Sequence, residues 1–127
     1  MIYADSQADV QLSYVSLEGN FAVREGGALY VVTDSRFILK VCTFIKNYAR
    51  DASAIYASTL NPDYEFEINN CLFNSNRAVQ NTLSLFNAYG TIDRSIFSNN
   101  FANLYSENIF LGFSEVTIND SKFFMDR

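Results

Sequence analysis

The chain is 127 residues long and 49% hydrophobic, enough for one domain with its own core and too short for two. Its formal charge is -5, with the Lys and Arg residues in no cluster, which argues against a nucleic-acid partner, because backbone phosphates require several adjacent cations. The absence of histidine removes the commonest general base and leaves carboxylates, Lys, Arg or Tyr for any catalytic chemistry.

No apolar run approaches the length of a membrane-spanning helix, and the amino terminus lacks the basic flank and apolar core of a signal peptide. The chain is therefore expected either not to be exported or to have been trimmed at its ends. Residues 1–9 are expected to be an N-terminal segment or partial coil; the sequence leaves Ile2-Tyr3 open between the tail of a preceding turn and a loose terminus.

From Val10 onward the chain repeats. Inward pairs of period two, which is the period of a strand, occur at Val10 and Leu12, Phe37 and Leu39, Phe66 and Ile68, Gly90 and Ile92, and Val116 and Ile118. After each pair comes a residue that is small in every copy: Val15, Cys42, Cys71, Ser95 and Ser121. Two residues later stands Leu17, Phe44, Phe73, Phe97 or Phe123, and three after that Asn20, Asn47, Asn76, Asn100 or Asp126. Ala22, Ala49, Ala78 and Ala102 follow. Each unit closes on an aliphatic-aromatic pair, aligned as Leu29-Tyr30, Ile55-Tyr56, Leu85-Phe86 and Ile109-Phe110.

A recurrence at positions 17, 44, 73, 97 and 123 is a structural repeat of about 26 residues, longer than any helical or hairpin period. Asn69-Asn70 between Ile68 and Cys71 reads as a corner, since Asn tolerates the left-handed conformation. Residues 74–76 make another. The expected fold is all-β: a single-stranded parallel β-helix, or solenoid, of about 4–5 coils of three short strands over residues 10–127, each coil burying the next. Stacking makes the Phe positions an internal aromatic ladder and the Asn positions a second, hydrogen-bonded one.

Gly26-Gly27-Ala28-Leu29 and Phe44-Ile45-Lys46-Asn47 resemble the GGA-aliphatic and FxxN pair of polymorphic outer-membrane-protein repeats, within the pectin-lyase-like β-helix class. The FxxN half recurs, and the GGA half is replaced by Ala52-Ser53-Ala54-Ile55, Thr82-Leu83-Ser84-Leu85 and Ser106-Glu107-Asn108-Ile109. The resemblance implies a right-handed coil, a cell-surface or extracellular location and an adhesive role. An intracellular large assembly is the alternative location.

Three sets of residues are candidates for function. Asp63, Glu65 and Glu67 share one face by period two and have the chemistry for Ca²⁺, but alignment also puts Arg36 beside Glu65, and a solvated ion pair is the blander account. No catalytic residue, metal site or cofactor is assigned to them. Cys42 and Cys71 occupy equivalent rungs with parallel side-chain vectors, which favours stacked thiols over a disulfide. If the aliphatic member of each closing pair points inward, then Tyr30, Tyr56, Phe86 and Phe110 form an exterior stripe, with Leu72 and Ile96 on another face. Exposed apolar rows usually meet something; the competing accounts are reversed parity or cover by loops.

The sequence therefore points to a non-catalytic structural or adhesive module with a protein partner. The alternative is a polysaccharide-processing enzyme fragment or a carbohydrate-binding module of the pectin-lyase-like class, with a glycan as ligand. The last copy stops partway through a coil without a helical or polar cap, so further β-helix coils or neighbouring chains are expected at the open ends.

Overall fold

Like residues lie over like in a computed structural model that describes residues 1–104 and 108–124. The first coil runs through β1 (Ile2–Ala4), β2 (Asp9–Ser13) and β3 (Ser16–Glu18). The second has β4 (Leu29–Val32), β5 (Arg36–Lys40), β6 (Thr43–Ile45) and β7 (Tyr48–Ala49). The third has β8 (Ile55–Ser58), β9 (Phe66–Asn69), β10 (Leu72–Asn74) and β11 (Arg77–Ala78). The fourth has β12 (Leu83–Phe86), β13 (Tyr89–Asp93), β14 (Ile96–Ser98) and β15 (Phe101–Ala102), and β16 (Ile109–Gly112), β17 (Glu115–Asn119) and β18 (Lys122–Phe124) complete the fifth.

Every pairing is parallel and between neighbouring coils, which gives three five-stranded sheets and one short three-stranded sheet. The chain is thus a parallel β-solenoid of about 5 turns. The fourth sheet, β7-β11-β15, was not expected from the pattern. Its strands have two residues each, too short for alternation to register, and the Ala49, Ala78 and Ala102 column is their inward face. Ile2–Ala4 pairs with β4, so the segment before Val10 contains a strand of the first coil. Among the described residues no helix is long and apolar enough to cross a membrane.

The interior is built from the predicted columns. Rings stack at 4.8 Å for Phe44 and Phe73, 4.6 Å for Phe73 and Phe97, and 4.9 Å for Phe97 and Phe123. Phe37 and Phe66 make a second inward stack at 5.1 Å. The Phe66 ring also fills the place a side chain at residue 90 would take, since a Cβ on Gly90 would lie 2.6 Å from its Cδ1.

Left-handed corners bend each coil. Tyr14, Val41, Asn70, Arg94 and Asp120 all have φ between 46° and 58° and precede the small-residue column. That column closes the bend: Ser95 and Ser121 donate Oγ–H to the carbonyl two residues back at 3.0 and 2.9 Å, and the thiols of Cys42 and Cys71 do the same at 3.5 and 3.4 Å. The position therefore selects a small donor, and Val15 fills only the space. The Asn column caps the next corner, after Gly19, Lys46, Ser75 and Asn99, which are also left-handed. Asp126, its last expected member, lies outside the described residues.

Candidate interaction surface

In the first sheet the period of two turns Leu29, Ile55, Leu83 and Ile109 inward and the residue after each outward. Tyr3, Tyr30, Tyr56 and Phe110 therefore share an exterior column, with Ser84 between Tyr56 and Phe110. Tyr3 and Tyr30 stack at 5.0 Å and 6°, and Tyr30 and Tyr56 at 5.2 Å and 9°. Parallel rings this close must lie face over face, because coplanar neighbours would collide. Tyr30, stacked between Tyr3 and Tyr56 in an offset arrangement, therefore has part of each face covered and presents its edge and hydroxyl to solvent. Burial, followed by the charge of Glu25, pushes the Tyr56 phenol pKa up.

The third copy corrects the expected alignment. Leu83-Ser84, not Leu85-Phe86, stands opposite Ile55-Tyr56, and Phe86 pairs with Ser58 and Gly112. A shift of two keeps inward and outward parity, so alternation alone could not detect it. Gln80-Asn81-Thr82-Leu83 accordingly takes the place of the GGA-aliphatic stretch in that coil. Phe86 nevertheless joins the row by tilting, with ring centroids 5.9 Å from Tyr56 and 5.5 Å from Phe110. It leans over residue 112, where a Cβ would meet its ring at 2.6 Å, so Gly112 makes the room. Leu72 and Ile96 pair on the third sheet, flanked by Thr43 and Lys122, which limits that apolar stretch to two residues.

A second exterior column was not anticipated. The residue after each ladder Asn points out, giving Phe21, Tyr48, Arg77 and Phe101 in register. Phe21 and Tyr48 stack at 5.2 Å, and the Arg77 guanidinium lies 5.5 Å from the Phe101 ring centroid. An aromatic in three of four copies immediately after Asn was the sequence signal for it.

Between the columns runs a polar corner. Glu25 pairs with Asp51, and Arg24 and Arg50 neighbour each other along the stack through the Asp51 N–H to Arg24 carbonyl bond of 2.8 Å. The buried Ser84 hydroxyl donates to Asp51 Oδ1 at 2.6 Å and the Asn81 amide at 2.9 Å, which fixes this carboxylate. Gly26 (φ 66°) and Gly27 shape the corner: a Cβ on Gly27 would lie 2.1 Å from the Ser53 carbonyl oxygen of the next coil. A cleft of about 420 Å³ opens here between Tyr3 and Tyr30 of one column and Phe21 of the other, with Arg24 and Glu25 in its wall.

The carboxylate candidates separate. Asp63 belongs to the turn closed by the Asn61 side chain, Glu65 precedes β9, and Glu67 points outward from it. The expected Arg36–Glu65 pair does not form. Arg36 instead bonds Asp9, its register partner on the first coil, at 2.7 Å, and covers the ring of Tyr64, from the turn before β9, at 4.5 Å. That hydrogen bond holds the Asp9 carboxyl below its ordinary range. Glu65 lines a different cleft with Tyr89 and Glu115. Cys42 and Cys71 are free, buried thiols, and burial pushes the Cys71 thiol up to about 11.

Compared with known proteins, the chain matches no family model, no curated protein sequence and no solved structure.

Proposed function

We propose that this chain is a non-catalytic docking module, a β-solenoid that presents a rigid exterior row of aromatic edges to a protein partner within a larger protein or assembly. The observation that carries the reading is the continuity of Tyr3, Tyr30, Tyr56, Phe86 and Phe110 across all five coils. Such a row is fixed by the backbone stack, so little side-chain entropy is lost when it is covered, and Tyr is among the residues on which binding energy concentrates. A sugar platform is less well supported, because a pyranose needs an open ring face and the stack covers part of each face of Tyr30. A photoreactive phenylalanine analogue at position 56, compared with one at position 67 on the outer face of β9, tests the proposal in the protein's native cell. Protein cross-links at 56 and none at 67 are expected. Glycan adducts at 56, or equal cross-linking at both positions, would overturn it.

A further inference from the structure

We infer that the face between the two aromatic columns takes an acidic polypeptide segment, with carboxylates on Arg24, Arg50 and Arg77 and apolar side chains in the cleft walled by Tyr3, Phe21 and Tyr30. The inference rests on the protein-docking reading and names the chemistry of the partner.

The chain carries -5 overall, and on the second sheet Asp9, Glu67, Asp93 and Glu115 stand with Arg36 and Lys40, Asp9 and Asp93 being paired with Arg36 and Arg94. The face between the columns is different. Among the described residues Arg24, Arg50 and Arg77 make no ion pair, and Oδ1 of the neighbouring Asp51 is held by Ser84 and Asn81 instead of by a guanidinium. Among the described residues, two carboxylates, Glu25 and Asp51, stand beside three guanidiniums.

These cations border cavities. Arg24 lines the cleft of about 420 Å³, Arg24 and Arg50 line one of about 180 Å³ together with Glu25, Asp51 and Gln80, and Arg77 lines one of about 340 Å³ with Phe101. Arg24 and Arg50 come from neighbouring coils, where strands sit about 4.8 Å apart. Neither guanidinium is in an ion pair with a described carboxylate, so a partner carboxylate received between them gains charge-assisted hydrogen bonds. The acidic remainder of the surface repels the same partner, which orients its approach. A polypeptide fits better than an acidic sugar for the reason already given: the columns offer ring edges for apolar side chains to pack on, and the Phe101 ring already carries Arg77.

The test is a titration of the full chain, followed by NMR, with three probes: an acetylated and amidated heptapeptide Glu-Leu-Glu-Phe-Glu-Leu-Glu, its counterpart with Gln for every Glu, and trigalacturonate. The Glu peptide should bind saturably and shift the Nε–H signals of Arg24, Arg50 and Arg77. The Gln peptide should bind at least about tenfold more weakly, a difference of about 1.4 kcal/mol. Arg50→Glu should weaken the Glu peptide by a similar factor while Lys40→Glu, on the outer face of β5, leaves it unchanged, both variants keeping the wild-type circular dichroism spectrum. Equal binding of the Glu and Gln peptides, with loss of both in Tyr30→Ser, would overturn the acidic partner and leave the docking reading standing. No peptide binding, shifts confined to other faces, or tighter binding of trigalacturonate would each overturn the inference, while the cross-link at position 56 judges the docking reading separately.

Discussion

The side-chain amide of Asn47 donates to Oδ1 of Asn76 at 3.0 Å, and the backbone N–H of Asn47 donates to the same oxygen at the same distance. Asn76 repeats both bonds onto Asn100 and sends its second amide hydrogen to the Phe44 carbonyl at 2.8 Å. One carboxamide thus satisfies two backbone groups of the preceding coil and links to the side chain of the next, at a bend where strand pairing is interrupted. Asn76→Leu keeps the backbone bond to Asn100 but removes the carboxamide bonds and leaves the buried Asn47 N–H and Phe44 carbonyl without them, at about 1–3 kcal/mol for each orphaned group. The urea midpoint should fall well below that of a surface variant such as Lys46→Gln; an unchanged midpoint would contradict the ladder.

Phe73 sits between Phe44 and Phe97 and is fully buried. Phe73→Ala opens a cavity whose walls are held by two further stacked rings and cannot close, so a loss of about 3–5 kcal/mol is expected in the same assay.

Val41 holds φ at 55° at the corner where Asn70 stands one coil on. A β-branched residue is strained there, and Asn is not. Val41→Asn should raise the unfolding midpoint by the equivalent of about 1 kcal/mol, and Asn70→Val should lower it. Opposite signs would refute the corner assignment.

The Cys71 thiol, raised from 9.0 to about 11 by burial, gives a pH signature. Below the unfolded value both states hold the proton and stability is insensitive to this group; between about 9 and 11 only the unfolded chain releases it, so stability declines as pH rises through that window. Cys71→Ser should remove that part of the decline. In the native state at neutral pH, thiol reagents should not label Cys42 or Cys71 until the chain unfolds. A native mass lower by two hydrogens would reveal a disulfide instead.

Much of this architecture was written in repeats that the eye can count. Phe44, Phe73 and Phe97 are the same residue at the same rung, and the Asn column demands one chemistry, so both survive without an alignment. The losses were local and physical. Leu83 and Leu85 both fit the inward rung in the sequence because a two-residue shift leaves alternation intact, and pairing with Ile55 selects Leu83. Tyr48-Ala49 and its partners were too short to read as strands. Arg36 found Asp9 rather than Glu65 because register sets a carboxylate opposite it on each neighbouring coil, and alternation does not say which of the two a long flexible guanidinium will take. The row of Tyr30, Tyr56 and Phe110 was legible from parity, whereas Phe21 and Tyr48 were hidden beside the more conspicuous Asn positions.

The central claim is that the exterior aromatic row is a docking face, and the measurement that meets it most directly is the affinity of Tyr56→Ser for the protein cross-linked at position 56. Tyr56 lies on the outer surface between Tyr30 and Phe86, so its removal should leave the unfolding midpoint near that of the wild type. The account predicts a loss of affinity of about thirtyfold, the size of a central interface residue worth about 2 kcal/mol. An affinity equal to the wild type with the fold intact would contradict it.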